Sequence, residues 1–298
     1  MIFKTKVMHD PSGVVHKLVF ESGNAIAESV GYAYGDRRVV CLSVQSGCRI
    51  GCEFCGTGKR FIRNLTAEEM HTQLGHTITE IGYKQKLQVM TMSMGEPMDN
   101  WNATIRFIEE VFKDQPTWDV FVSTVGLRKR EVLSDLLYLG QTYDHFGLQF
   151  SLHHWDNQVR WNRLGRYPHL LSVEEISAFG KLWSHWSGRP AYFNYICKGD
   201  ENEQDALRVA ELVNGMHLTC SVWCDTGNFV KGKVEPAARF SEMVAEACVS
   251  VVPHYVVERS VFNPAGQDTI GGGCGQLLFV QDKLKRLGIE PHYRRKAS

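Results

Sequence analysis

Six short β-rich apolar runs, at residues 38–46, 87–93, 119–124, 146–152, 191–196 and 218–223, alternate with amphipathic segments of helical spacing. No other feature restricts the fold so tightly. A strand that must be followed by a parallel neighbour needs a long crossover, and a helix supplies one. Repeated β-then-α units therefore predict an α/β domain with a parallel sheet and right-handed connections. The helix expected at 67–83 places Met70, Leu74, Ile78 and Ile81 on one face, and Thr66 with Glu69 forms a capping box at its start. Ser172 with Glu175 opens another helix in the same way. Residues 14–34 read as a small antiparallel extension with a turn at 21–24, giving an expected division into a β-hairpin extension at 1–37 and the α/β domain at 38–298.

In open parallel sheets the chemistry gathers at the carboxyl ends of the strands, so those ends are where motifs carry meaning. After the first strand come Cys48, Cys52 and Cys55, and after the second Gly95-Glu96-Pro97. Ser123 closes the third strand and Ser151-Leu152-His153 the fourth. The spacing CxxxCxxC supplies three thiolates to a 4Fe-4S cube and leaves its fourth iron open to another ligand. Phe54, beside the last cysteine, is placed to keep water from such a cluster. Zinc would need a fourth ligand, for which Cys41 or a distant histidine would have to serve.

Nine cysteines are an odd count, and the N-terminal residues lack the apolar core of a secretory signal, so a disulfide framework is not expected. No apolar run approaches the length of a membrane span, and a cytoplasmic protein without membrane attachment is expected. Lys plus Arg and Asp plus Glu both total 33, so there is no overall field to hold a polyanion, and nucleic-acid binding would have to use local patches. Lys59, Arg60 and Arg63 form one such group, Arg128 to Arg130 a second, Arg160, Arg163 and Arg166 a third, and Arg294, Arg295 and Lys296 a fourth. Each also reads as an ordinary solvated face.

From about residue 12 to 285 the chain resembles the radical S-adenosylmethionine (SAM) enzymes, and within them the adenosine C-methyltransferases of the RlmN/Cfr type. The resemblance implies a partial (β/α)6 barrel with a small N-terminal β extension. It also implies that Cys48, Cys52 and Cys55 hold the 4Fe-4S cluster. Gly95 and Glu96 match the motif that holds the methionine ammonium of SAM, while Ser123, Ser151 and His153 match positions contacting its ribose and carboxylate. Two further cysteines mark the subfamily: Cys41, seven residues before Cys48, and Cys274 in a glycine-rich C-terminal loop. Glu28, thirteen residues before Cys41, matches the family's general base.

The implied reaction uses two SAM molecules per turnover. Cys274 takes a methyl group from one, and a radical generated from the other removes hydrogen from that S-methyl group. The carbon radical adds to an electron-poor sp2 carbon such as carbon 2 or 8 of adenosine in ribosomal or transfer RNA. Glu28 removes the ring proton, and Cys41 attacks the Cys274 sulfur to release product and leave a disulfide. An external electron donor such as flavodoxin and a monomeric enzyme go with the resemblance.

The chain also departs from the family. Members of its rRNA-modifying branch carry a further domain before the β extension, whereas this chain starts almost directly at the extension. The family's Pro-Trp-Asn-Pro segment reads here as VWCDTGNF, so either Cys224 or Asn228 takes the SAM-contact position. Asn194 stands where the family has a glutamate, and the RSVFNPAG stretch is longer than its counterpart. These departures keep open the same radical chemistry on a nucleotide, small metabolite or peptide. A non-catalytic iron-sulfur protein for electron transfer or redox sensing is a third reading, one that leaves Glu28, Cys41 and Cys274 without a task.

Overall fold

In the computed structural model the described residues are 1–225, 230–231, 234–251, 259–262 and 270–271, so Asn228 and Cys274 lie outside them. The chain forms two compact units, one of Met1–Gly51, Cys55–Val120 and Pro264–Ser298, the other of Cys52–Phe54 and Phe121–Asn263.

The first unit begins with an antiparallel meander of β1 (Phe3–His9), β2 (Val15–Ser22) and β3 (Ala25–Ala33). Gly23, at φ +60°, lets the chain reverse in two residues between β2 and β3, at the turn expected from the sequence. β1 was not expected: its Phe-Lys-Thr-Lys pattern is largely exposed, as befits an edge strand. β4 (Arg38–Cys41) pairs antiparallel with β3. The expected first run, 38–46, divides after Cys41, and β5 (Gln45–Gly47) leaves the main sheet to pair with β6 (Phe61–Asn64).

Next comes α1 (Ala67–Ile81), which carries the Thr66–Glu69 capping box and buries Met70, Leu74 and Ile81. β7 (Leu87–Met90) pairs parallel with β4 and is followed by α2 (Trp101–Asp114). The strand order of this unit is β1-β2-β3-β4-β7. One core cluster joins Val15, Val30, Tyr32, Val39, Cys41, Met94 and Ile270, so residues from both ends of the chain share one apolar interior.

The second unit repeats the β-then-α pattern. β8 (Asp119–Thr124), which begins at the end of the first unit, leads to α3 (Arg130–Thr142). β9 (Phe146–Ser151) leads to α4 (Asn157–Arg163) and α5 (Val173–Ser187), and Ser172 with Glu175 caps α5 as expected. β10 (Tyr192–Cys197) leads to α6 (Glu203–Val213), and β11 (His217–Val222) follows. The two-residue strands β12 (Cys224–Asp225) and β13 (Val230–Lys231) precede α7 (Glu235–Val251) and β14 (Arg259–Phe262). The strand order is β8-β9-β10-β11-β14, with parallel pairing from β9 to β14. Counted along the chain, β4, β7, β8, β9, β10 and β11 open six β-then-α units, the number expected from the sequence.

Of the basic residues noted in the sequence, Arg63, Arg128, Arg160 and Arg163 are engaged in structure, while Arg294, Arg295 and Lys296 lie outside the described residues. Arg63 forks onto Glu69, and against the cost of burial this bond and the neighbouring donors hold the Glu69 carboxyl down to about 2. Arg128 forks onto Glu175. Arg160 and Arg163 are buried, so neither is a solvated patch. Arg160 donates to the carbonyls of Val125, Ser151, Leu152 and Leu171 and fastens the ends of β8 and β9 together. The grouping of Arg160, Arg163 and Arg166 in sequence could not reveal this, because an arginine carries the same charge whether it faces water or carbonyls.

Candidate active site

The cysteine motif sits on the loop that β5 and β6 close. Cys48 N–H donates to the Arg60 carbonyl at 2.9 Å, pinning the neck of the loop. Gly47, at φ +82°, makes that closure possible: a Cβ there would lie 1.8 Å from the Arg60 carbonyl oxygen. Gly47→Ala is therefore expected to open the neck and to lower the iron bound per chain after anaerobic reconstitution. Full iron content in that variant would show that the loop tolerates a different neck.

Cys48, Cys52 and Cys55 form no disulfide among the described residues and are partly exposed. Burial, then the negative charges that Cys55 and Glu96 would carry, push the Cys48 thiol up to about 12. A thiolate disfavoured by its surroundings in this way is relieved by a bound cation, so the donor set fits an iron-sulfur cluster.

Gly95 and Glu96 follow β7. Gly95 takes φ +100°, and a Cβ there would meet Gln45 at 2.6 Å. Gln45 Oε1 accepts from the Glu96 N–H at 3.0 Å, and the buried Glu96 carboxylate accepts from the Met98 N–H at 3.0 Å. The motif is thus a rigid turn whose backbone conformation only glycine adopts easily.

In the second unit, Ser123 is half-buried one residue before the end of β8, its hydroxyl accepting from Gln149 at 3.2 Å. Ser151 ends β9 and is held through its carbonyl by Arg160. His153 is buried in the left-handed conformation at φ +59°, and its Nδ1 has no hydrogen-bond partner among the described residues. Burial, then Arg160 and Arg163, hold His153 well below the usual histidine range, so it is a neutral imidazole. Phe54 packs edge-on against the His153 ring at 4.9 Å and the Trp223 ring at 5.3 Å. Arg163 donates to the His153 carbonyl at 2.6 Å and accepts through its own carbonyl from the Glu53 N–H. Asn194, on β10, donates to Ser221 of β11 at 2.8 Å.

Glu28 is fully buried on β3. Its N–H donates to Ser43 Oγ, and its carbonyl accepts from the hydroxyls of Ser43 and Ser93. Cys41 lies at the end of β4, buried, in the cluster that also contains Ile270. Asn228 and Cys274, and the side chain of Cys224, are outside the described residues.

Sequence reasoning missed Lys17, which is buried against Glu28, and it misread Arg160 and Arg163. The available signal for Lys17 was a lone cation inside the apolar run Val-His-Lys-Leu-Val-Phe.

A rigid turn follows the parallel strand β7, three cysteines share the loop after β5, and six β-then-α units make an α/β fold. The radical SAM superfamily model matches residues 42–213, more than half of the chain. A protein of Moorella thermoacetica named "probable dual-specificity RNA methyltransferase RlmN" is 30% identical over 290 residues, covering 91% of this chain and 78% of that one. A protein of the same name from Clostridium acetobutylicum is 29% identical, with the same two coverages. The crystal structure of a radical SAM methyltransferase from Sphaerobacter thermophilus superposes with a TM-score of 0.77 at 25% identity, covering 92% of this chain and 80% of that one. The chain belongs to the radical SAM superfamily and, within it, to the RlmN-type methyltransferases. Its α/β fold is that of the partial radical SAM barrel, and its cofactors are a 4Fe-4S cluster and SAM. Among the described residues no helix is long and apolar enough to cross a membrane.

Proposed function

We propose that this enzyme methylates an adenosine carbon in RNA, carbon 2 or 8, by way of a methylated cysteine, in the cytoplasm and with electrons from an external donor. Cys48, Cys52 and Cys55 are the cluster ligands in this reading, and Gly95, Glu96, Ser123, Ser151 and His153 hold SAM. When bound, the cluster and SAM supply a 5′-deoxyadenosyl radical. Cys274 carries the methyl group as a thioether and, once that group has lost a hydrogen atom, presents its carbon to the base. Glu28 takes the ring proton. Cys41 then attacks the Cys274 sulfur, and the S–CH2 bond breaks as the S–S bond forms. The departing carbon takes up a proton to become the methyl group, and the one electron spent on making the radical returns to the electron carrier.

The observation that carries this reading is the burial of Glu28 and Cys41 on adjacent strands, with Ile270 packed in the cluster around Cys41. Ile270 lies four residues before Cys274 in sequence, so the chain passes close to Cys41 shortly before the carrier cysteine. A cluster protein that only carried electrons has no use for a buried carboxylate on the strand next to that thiol. RNA as substrate is supported by the names of the relatives at 30% and 29% identity.

The test is 5′-deoxyadenosine formation with and without added bulk RNA. Acceleration by RNA, with methyladenosine in the RNA digest, is the expected result. Formation that RNA leaves unchanged would move the assignment to a small-molecule or peptide substrate.

A further inference from the structure

Lys17 is a fully buried lysine, and its Nζ lies 2.8 Å from Glu28 Oε2, which is itself fully buried. In the β2–β3 ladder Val19 faces Glu28 and Lys17 faces Val30, so Lys17 and Glu28 are diagonal neighbours on one face of the sheet. The same ammonium donates to the Gly271 carbonyl at 3.1 Å, across 254 positions of sequence. Gly271 stands three residues before Cys274. A lysine is almost never this buried unless it is paired, and replacing a buried ion pair by apolar residues is often neutral for stability. Fold stability alone therefore does not account for a lysine here.

We infer that Lys17 is a positioning residue for the proton-removal step: its ammonium fixes the Glu28 carboxylate and ties it to the backbone that leads to the carrier cysteine. The inference rests on the reading of Glu28 as the base. In that step the ring C–H bond breaks, its electron pair stays with the ring, and the proton forms an O–H bond on Glu28. The ammonium holds one carboxylate oxygen of Glu28 in place and, through a second bond, holds the Gly271 carbonyl against the same charge. Methyl loading of Cys274 and radical formation precede the step and need neither contact.

Lys17→Gln keeps N–H donors and removes the charge, whereas Lys17→Arg keeps the charge. With Lys17→Gln, S-methylation of Cys274 and a first burst of 5′-deoxyadenosine are expected at wild-type levels. Product formation falls roughly a hundredfold, and substrate accumulates linked through the methylene to Cys274, visible by mass spectrometry of the intact protein. Lys17→Arg should show little of this adduct. Normal turnover of Lys17→Gln without adduct would overturn the inference, and so would equal loss of loading, burst and product, the pattern of a purely structural role. Glu28→Gln separates the two readings. If Glu28→Gln stalls at the adduct and Lys17→Gln does not, only the role of Lys17 fails, whereas normal turnover of Glu28→Gln removes the base assignment itself. If Lys17→Gln does not fold, Lys17→Arg decides: adduct accumulating despite the retained charge overturns the proposal.

Discussion

Cys274→Ala protein is expected to bind iron as the wild type does and to transfer no methyl group at all. The cluster ligands in the proposed reading, Cys48, Cys52 and Cys55, lie on a loop closed by β5 and β6, more than two hundred residues from Cys274 in sequence. Loss of the carrier thiol therefore leaves the cluster loop and its neck intact. Cys41→Ala should fail differently. Methyl loading and addition to the base need one thiol, but release needs a second, so substrate should remain covalently attached to Cys274. Iron content, S-methylcysteine in the Cys274 peptide and the mass of the intact protein distinguish the two variants. Normal turnover by Cys41→Ala, with no adduct, would remove the division of labour between carrier and resolving thiol.

The second large effect concerns stability. Arg160 is buried with its guanidinium spread over four backbone carbonyls, those of Val125, Ser151, Leu152 and Leu171. Arg160→Leu would take the guanidinium donors from these carbonyls, of which that of Leu152 also accepts from another donor, the His154 N–H. Each unsatisfied buried group costs roughly 1–3 kcal/mol, and the combined loss should approach about 3–5 kcal/mol, the scale found when a buried charged partner is removed. Against a typical total of roughly 5–15 kcal/mol that is enough to unfold much of the protein at physiological temperature. Urea denaturation of the purified variant checks this. A midpoint close to wild type would mean that water or a rearranged loop satisfies the carbonyls.

The units of the fold were legible because their signals are local. Thr66 with Glu69 and Ser172 with Glu175 satisfy backbone donors within one turn, so a sequence pattern is sufficient to find them. The cysteine spacing is local as well, since all three cysteines fall on the loop that β5 and β6 close. Lys17 and Arg160 were not legible, because what they do depends on partners distant in sequence. Nothing near residue 17 announces Gly271, and nothing in an arginine count separates a charge in water from one that clasps strand ends. The division of the first run after Cys41 was missed because Val-Val-Cys-Leu-Ser-Val is continuous in β propensity. The break comes from β6, which draws β5 into a separate ladder.

The bond from Lys17 to Gly271 bears on how the chain is made. During synthesis at roughly 5–20 residues per second, the carbonyl that Lys17 needs emerges about 13–50 s after Lys17 itself, given the 254 positions between them. Over that interval β2 and β3 can pair locally, but their buried ammonium lacks one acceptor and the cluster around Cys41 lacks Ile270. The first unit is thus completed by Ile270 and Gly271, which emerge after the whole of the second unit. A nascent chain stalled before residue 270 should expose the Cys41 thiol to alkylating reagents, and the released chain should protect it.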